Sequence, residues 1–179
     1  MGHQSDVYWY GGELCQAETI SLSIAEPGLL YGATIFTTLR VYHHSLDHPF
    51  TAWQAHCHRL QSAIHDFGWR SPPWERVRQG AEHLCATYPV LRITLFPDGR
   101  EWITGRHLPP NLGQMQRDGI TAWVATDANY RRELAGYKSG NYLGAWLALQ
   151  EAQRRGAGEA ILVSRSTGHW LETSTGNLW

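Results

Sequence analysis

Residues 138–143 read KSGNYL and contain the only lysine of the chain, Lys138. Lysine and arginine together number 15, so the other 14 basic residues are all arginine. Arginine stays protonated, whereas lysine can lose its proton and attack a carbonyl carbon to form a Schiff base. This stretch therefore indicates amine chemistry at Lys138, and the rest of the chain is interpreted outward from it.

The composition is that of an ordinary globular chain without a strong overall charge. Of 179 residues, 42% are hydrophobic and 17% are charged, and the formal net charge is −1. This balance gives no general attraction for nucleic acid or anionic lipid, and no apolar run approaches the roughly 20 residues that a bilayer requires. The N-terminus lacks a basic stretch followed by an apolar one. We expect a cytoplasmic protein with no nucleic-acid partner and no membrane segment.

Cysteine and histidine do not form a metal-binding pattern. Cys15, Cys57 and Cys85 are widely spaced and no CxxC pair occurs, so buried free thiols fit better than a zinc site or a disulfide framework. His56 and His58 flank Cys57, but residues two apart on a helix point away from each other and cannot share an ion. We expect no metal site.

The first part of the chain predicts a sheet with two helices. Turn signals between β-branched and aromatic runs predict strands at 7–10, 19–24, 34–42, 90–96 and 101–104. Helical spacing of apolar residues predicts helices over 52–67 and from residue 71 onward. Residues 107–118 contain two prolines, a glycine and an asparagine, and we expect them to form an interdomain linker.

The second part predicts the beginning of another domain. Strands are expected at 120–125, 160–164 and 169–174, with a helix over 141–155 that ends at Gly156. The chain ends at Asn177-Leu178-Trp179 inside an expected strand, where a domain does not usually end. We therefore expect an α+β protein with a first domain at 1–106, the linker at 107–118, and an incomplete C-terminal domain at 119–179.

Several blocks of the chain together resemble one family. They are 36–41 (FTTLRV), 53–60 (WQAHCHRL), 138–143 (KSGNYL), 156–162 (GAGEAIL) and 171–179 (LETSTGNLW). In this order and at roughly this spacing they are similar to the fold-type IV pyridoxal-phosphate enzymes, the class IV aminotransferase family. The resemblance implies a two-domain fold like that of D-amino-acid aminotransferase, with pyridoxal 5′-phosphate as the cofactor.

The resemblance also implies cofactor-binding residues. Lys138 would form the Schiff base and, once displaced by substrate, move a proton at the substrate Cα. Glu172 would hold the proton on the ring nitrogen, and Arg59 would bind the phosphate in a bidentate contact. Tyr142 would donate a hydrogen bond to the phenolic oxygen, and Asn177 would lie near the ring.

Those assignments compete with purely structural interpretations, which stay open. Arg59 fits a solvated helix face, Tyr142 an aromatic residue packed at a helix start, and Glu172 an exposed strand position. Thr38 fits simple packing of a β-branched residue in a strand.

The residue pattern at 36–40 indicates the substrate. Phe36-Thr37-Thr38 followed by Arg40 looks more like 4-amino-4-deoxychorismate lyase than like branched-chain aminotransferases, which usually have Glu-Gly or Glu-Thr at 37–38. Thr38 would then assist catalysis, and Tyr31, Arg40 and Arg92 would bind the substrate. Aminotransferases also use a tyrosine and an arginine at the positions of Tyr31 and Arg92, so an amino-acid aminotransferase of branched-chain type stays the alternative.

Two departures from the family bear on substrate detail. Glu26-Pro27 stands where the family often has Asp-Arg, and Ala33-Thr34 replaces the usual Asp-Gly. A further alternative is a truncated, non-catalytic relative that acts as a binding subunit. The resemblance implies a small amino-acid-like substrate and a homodimer.

Overall fold

The structure is a computed structural model that describes residues 4–130, 134–164 and 166–178. Trp179, the last residue of the expected apolar strand, lies outside the described residues. The chain divides into two compact units, Met1–Pro109 with Gly136–Gly140, and Pro110–Ala135 with Asn141–Trp179. Both units contain helices and strands, which confirms the predicted α+β class.

The first unit is built on a five-stranded antiparallel sheet. Its strands are β1 (Gln4–Tyr10), β2 (Glu13–Gln16), β3 (Ile35–Arg40), β4 (Val90–Leu95) and β5 (Glu101–Arg106), in the order β2-β1-β5-β4-β3. Thr38 in β3 lies directly opposite Arg92 in β4. Because side chains alternate between the two faces of a strand, Phe36, Thr38 and Arg92 share one face.

Helices cover the other face of this sheet and close its core. They are α2 (Trp53–Phe67) and α3 (Trp74–Cys85), whereas the short helix α1 (Pro27–Tyr31) buries none of its residues, and a 3₁₀ turn lies at Pro49–Thr51. Cys57, Leu60 and Ile64 recur at helical spacing on α2 and are buried, as are Val77, Ala81 and Leu84 on α3. They pack against sheet residues that include Ile35, Leu39, Leu91, Ile93 and Ile103.

The strand predicted at 19–24 is wrong, because the edge of the sheet is taken by residues closer in sequence. Gly11 and Gly12 both have positive φ, 59° and 100°, and form the two-residue turn that pairs Tyr10 with Glu13. Such a turn matches the twist of the flanking strands and needs glycine or asparagine. Residues 19–24 stay outside the sheet, where Tyr8 donates a hydrogen bond to the carbonyl of Thr19 (2.7 Å).

The second unit contains a βαβ arrangement. It comprises α4 (Leu112–Asp118), β6 (Ala122–Ala125), α5 (Leu143–Arg154), β7 (Glu159–Val163) and β8 (Trp170–Thr173), with a 3₁₀ turn at Ala128–Tyr130. β6 and β7 are parallel and β8 is antiparallel to β7. Ala145, Ala148 and Ala152 face β7 from α5, and Gly156, with φ of 77°, follows the end of α5 as predicted.

Two regions differ from the predicted domain plan. Residues 107–118, predicted as a linker, contain the helix α4. Gly136–Gly140, which the prediction grouped with 119–179, cluster with the first unit because their backbone pairs with β3. Within the described residues, no helix is both long and apolar enough to span a membrane.

Candidate functional site

Lys138 is held beside β3 by backbone hydrogen bonds. The amide of Phe36 donates to the carbonyl of Lys138 (2.7 Å), and the amide of Gly140 donates to the carbonyl of Thr34 (2.6 Å). Ser139 forms an antiparallel bridge with Ile35. The segment therefore acts as a short extra strand on the free edge of the first sheet, and the direction of Lys138 is set by the pleat of β3.

Gly140 is required by a close approach of two chain segments. A Cβ added to Gly140 would lie 2.7 Å from the carbonyl oxygen of Gly32, and it would also collide with the hydroxyl of Thr34. A backbone pair this close tolerates only glycine, so the glycine of the KSGNYL block keeps Lys138 against the sheet.

Two cationic side chains lie over the aromatic ring of Phe36. The guanidinium carbon of Arg92 is 3.7 Å from the ring centroid, and the Lys138 amine nitrogen is 5.9 Å from it. Phe36 itself is buried. The ring face attracts both cations, whereas the two positive charges repel each other. An anion on this face would therefore be stabilised by both.

Thr38 and Arg40 continue the same face along β3. Both side chains are half-buried. The Arg40 guanidinium carbon lies 5.4 Å from the ring centroid of Tyr42, and its Nε is buried with no hydrogen-bond partner among the described residues. The hydroxyl oxygen of the buried Ser139 also has no such partner. Buried donors normally have a partner, so the Nε of Arg40 points to a polar group on this face, whereas Ser139 bridges Ile35 and lies on the opposite face of the sheet.

His56 joins α2 to β3 and lies within electrostatic reach of Arg59 and Lys138. Its Nδ1 shares a hydrogen bond with the hydroxyl of the buried Thr37 (2.6 Å). Burial, followed by the positive charges of Arg59 and Lys138, lowers the pKa of His56 to about 4. His56 is therefore neutral near pH 7, and two predicted cofactor-binding cations act on one imidazole.

Tyr31 ends the short helix α1 and is 79% exposed. The helix begins at the carboxylate of the buried Glu26, which accepts from the amide of Gly28 (3.2 Å) and forms an ion pair with Arg100. The substitution of Glu26-Pro27 for the family's Asp-Arg thus supplies an N-cap residue and a proline in the first turn of α1.

The remaining predicted residues belong to the second unit. Tyr142 precedes α5 and packs, partly buried, against its alanine cluster. Glu172 is half-buried in β8, and Asn177 is exposed in the segment that follows. Among the described residues, no group of three or more histidine, cysteine, aspartate or glutamate side chains is arranged to hold a metal ion.

A buried carboxylate in this unit contacts residues that follow Glu172 in the chain. Glu159, the first residue of β7, is 8% exposed and accepts hydrogen bonds from the hydroxyls of Ser174 and Thr175 and from the amide of Ala160 (2.9 Å). Glu159 thereby connects the GAGEAIL block to the LETSTGNLW block.

Sequence analysis missed His56 and Glu159 as site residues. His56 was considered only as a metal ligand, although it lies one helical turn before Arg59 in the same block. Glu159 lies in the GAGEAIL block, but nothing near it in the sequence marks it as a site residue. The hydroxyls that donate to its carboxylate belong to residues 15 and 16 positions later in the chain.

The part of the chain that carries these residues also matches a known family by sequence. Residues 34–179 match the family described as amino-transferase class IV. The chain belongs to the class IV aminotransferase family. The predicted resemblance and the fold-type IV architecture are thereby confirmed.

Solved class IV structures resemble this chain at modest identity. One, described as a "putative 4-amino-4-deoxychorismate lyase", is 30% identical, with a TM-score of 0.69 over 90% of this chain and 66% of that one. A fold IV transaminase from Curtobacterium pusillum is 26% identical, with a TM-score of 0.70 over 91% and 60%. A hypothetical aminotransferase from Mycobacterium tuberculosis is 21% identical, with a TM-score of 0.73 over 94% and 64%, and this likeness shows the fold alone.

The chain spans about two thirds of the length of these class IV relatives. No curated protein matches it. The Mycobacterium tuberculosis aminotransferase has also been solved in a form with bound pyridoxal phosphate and in one with pyridoxamine phosphate and α-ketoglutarate. Pyridoxal phosphate, the cofactor expected from the sequence, is thus the cofactor of the family.

Proposed function

We propose that this chain binds pyridoxal phosphate through Lys138 and converts 4-amino-4-deoxychorismate to 4-aminobenzoate and pyruvate. The observation that carries the proposal is the arrangement around Phe36. The only lysine of the chain, the hydroxyl of Thr38 and the guanidinium of Arg92 are held at one face of the same two strands. The 30% identical structure described as a lyase supports the same reaction.

The residues of the first unit fit pyridoxal phosphate chemically. The cofactor carries an aldehyde, which requires an amine, and a phosphate dianion, which requires cations and N–H or O–H donors. Lys138 supplies the amine, and Arg59 and Arg92 supply cations. The unpartnered Nε of Arg40 is a buried donor of the kind that an anion on this face would satisfy.

When bound, pyridoxal phosphate supplies an electron sink for the bond electrons released at the substrate carbon. Lys138 takes the proton from that carbon and returns a proton to the product. Arg59 would bind the phosphate, Glu172 would keep the ring nitrogen protonated, and Tyr142 would donate to the phenolic oxygen. Asn177 would lie near the ring.

The cationic face also suits the substrate. 4-Amino-4-deoxychorismate has two carboxylates, whereas a branched-chain amino acid has one carboxylate and an apolar side chain that needs an apolar pocket. β3 and β4 present Arg40, Arg92 and the polar Thr38 on the face in question. We assign Arg40, Arg92 and Tyr31 to the substrate carboxylates and Thr38 to the leaving enolpyruvyl group.

The cofactor assignment is tested by covalent labelling. The chain is incubated with pyridoxal phosphate, reduced with borohydride and mapped by peptide mass spectrometry. We expect the pyridoxyl group on Lys138 and none in Lys138→Arg, because a guanidinium keeps the charge but is no amine nucleophile. His65→Gln, at an exposed position on α2, is the matched control and should label as the wild type does. A label at the N-terminal amine alone would exclude Lys138.

The reaction is tested by two assays on one preparation. One follows release of 4-aminobenzoate from 4-amino-4-deoxychorismate, and the other follows transamination between leucine and 2-oxoglutarate. We expect 4-aminobenzoate release. Transamination without 4-aminobenzoate would identify an amino-acid aminotransferase that uses the same lysine, and inactivity in both assays without a Lys138 label would identify a binding subunit. The proposal includes a homodimer, from the family resemblance, and a cytoplasmic location, from the composition and the cysteine pattern.

A further inference from the structure

Residues 173–176, between Glu172 and Asn177, form a tight turn that is closed by two hydrogen bonds within it. The amide of Gly176 donates to the hydroxyl of Thr173 (2.8 Å), and the amide of Thr173 donates to the carbonyl of Gly176 (3.2 Å). Glu172 immediately precedes this turn and Asn177 immediately follows it. The orientation of both side chains therefore depends on how the turn at 173–176 is held.

Glu159 holds that turn from the neighbouring strand. One carboxylate oxygen accepts from the hydroxyl of Ser174, the other accepts from the hydroxyl of Thr175, and the amide of Ala160 donates to the first at 2.9 Å. The amide of Ser174 also donates to the carbonyl of Ala160 (2.9 Å). Side chain and backbone of the start of β7 thus fix two consecutive residues of the turn.

The three donors at this contact suit a carboxylate acceptor. A carboxylate only accepts, and its two oxygens offer enough lone pairs for all three donors. Ser174 is 2% exposed and Glu159 8% exposed, so water competes little for these bonds and each is stronger than on the surface. An amide in place of the carboxylate would put its own N–H groups against one of the hydroxyls.

We propose that Glu159 is a positioning residue that fixes the turn at 173–176 and thereby holds Glu172 toward the ring nitrogen of the cofactor. The proposal rests on the function proposed above. In this role Glu159 itself contacts no reacting atom. It acts through Ser174 and Thr175, two and three residues beyond Glu172.

The test uses the chain loaded with pyridoxal phosphate labelled with ¹⁵N in the ring. The ¹⁵N chemical shift reports whether the ring nitrogen is protonated, which a merely structural role of Glu159 would not move. In Glu159→Gln we expect the signal to move toward its unprotonated position, with Glu172→Gln as the limit of that change. Glu82→Gln, at an exposed position on α3, should keep the wild-type signal.

Two further measurements keep the proposal testable if Glu159→Gln does not fold. Thr175→Val replaces an exposed residue, removes one of the hydroxyl donors and should shift the ¹⁵N signal in the same direction by a smaller amount. Hydrogen exchange in the chain without cofactor should show the amide of Gly176 exchanging about tenfold faster or more in both variants, the size expected for loss of a hydrogen bond to a charged acceptor.

The outcomes separate this proposal from the function on which it rests. An unchanged ¹⁵N signal in folded, labelled Glu159→Gln overturns the positioning role and leaves the cofactor assignment intact. Absence of any Lys138 label in the wild type overturns the proposed function and this proposal together. An unchanged exchange rate of the Gly176 amide in both variants would show that the turn is stable without Glu159, which also overturns the role of Glu159.

Discussion

Thr37 and Thr38 are neighbours in β3, but their hydroxyls serve opposite faces of the sheet. Thr37 is fully buried and bonds to His56 on the helix side. Thr38 is half-buried on the other face, opposite Arg92. Alternation along the strand forces this division, so only Thr38 can contact a ligand that lies over Phe36.

Replacing Thr38 with valine removes the hydroxyl and keeps the β-branched shape that suits a strand. We expect 4-aminobenzoate release to fall by one to three orders of magnitude, about 1.4 to 4 kcal/mol of transition-state stabilisation. Cofactor absorbance should stay the same, because the change touches no residue assigned to the cofactor. Thr121→Val, at an exposed position, is the matched control. Undiminished release in Thr38→Val would leave Thr38 with a packing role only.

His56 makes stability depend on pH in a defined window. Its pKa is lowered from 6.5 to about 4 in the folded chain. Between these values the unfolded chain binds a proton that the folded chain does not, so the free energy of unfolding falls as the pH drops from 6.5 to 4. The loss amounts to about 2 kcal/mol after allowance for solvent screening.

His56→Gln should therefore lose less stability than the wild type over this pH range. The measurement is urea unfolding at several pH values between 4 and 7. Glutamine can still bond to Thr37, which separates the loss of titration from the loss of the hydrogen bond. His58→Gln, at an exposed position on α2, should follow the wild-type curve. Parallel curves for wild type and His56→Gln would show that His56 titrates normally.

Chemistry alone singles out some residues of the sequence as candidates. Lys138 is unique in the chain and lies in a recognisable block. His56 could not be recognised in this way, because its surroundings come from β3, α2 and the segment at 136–140. Such a constellation depends on pairings between residues up to about a hundred positions apart, which local pattern does not report.

At the scale of elements, the error at 19–24 shows what alternation leaves undetermined. Residues 19–24 alternate between apolar and polar, as a half-buried strand does. Pairing, however, also needs a free edge, and the two-residue turn at Gly11 and Gly12 places β2 at the edge of β1 first. Closing a two-residue loop costs less chain entropy than closing a longer one.

The helix α1 offers a direct test of an element held by one residue. Glu26 is 2% exposed, caps α1 and pairs with Arg100 on the hairpin loop between β4 and β5. α1 buries none of its own residues, so this carboxylate is its principal anchor. Glu26→Ala leaves the amide of Gly28 without its acceptor and removes the buried partner of Arg100.

We expect Glu26→Ala to lower the free energy of unfolding by about 2 to 4 kcal/mol, as loss of a cap and a buried ion pair together should. Urea unfolding at pH 7 measures it. Asp98→Ala removes an exposed partner of the same arginine and should cost about 1 kcal/mol or less. Equal costs for the two variants would mean that α1 does not depend on its cap.

For the whole molecule, the surface near α1 is relevant to the proposed homodimer. Ile24, Leu29, Leu30 and Tyr31 are all more than half exposed. Adjacent apolar side chains of this kind commonly mark an interaction surface. We expect light scattering to give the mass of a dimer, and Leu29→Glu to give that of a monomer. Glu18→Gln at an exposed position is the control, and a monomeric wild type would contradict the prediction.

The two units have cores of different composition. The first unit buries large aliphatic side chains such as Leu39, Leu91, Ile93 and Ile103. The described core of the second consists of alanines and Leu162, with partly buried aromatic residues around it. Full burial of a leucine or isoleucine contributes about 1.5 to 3 kcal/mol, and a methyl side chain contributes much less. The second unit therefore has less hydrophobic stabilisation per buried residue.

Hydrogen exchange of β4 and β7 tests whether the second unit is less stable than the first. Each is a central strand with a neighbour on both sides, so neither Ile93 nor Ile161 lies in an edge strand. We expect Ile161 to exchange at least about tenfold faster under native conditions, through opening of the second unit alone. Equal opening free energies at both strands, falling together with added urea, would instead mean that the chain unfolds in one cooperative step.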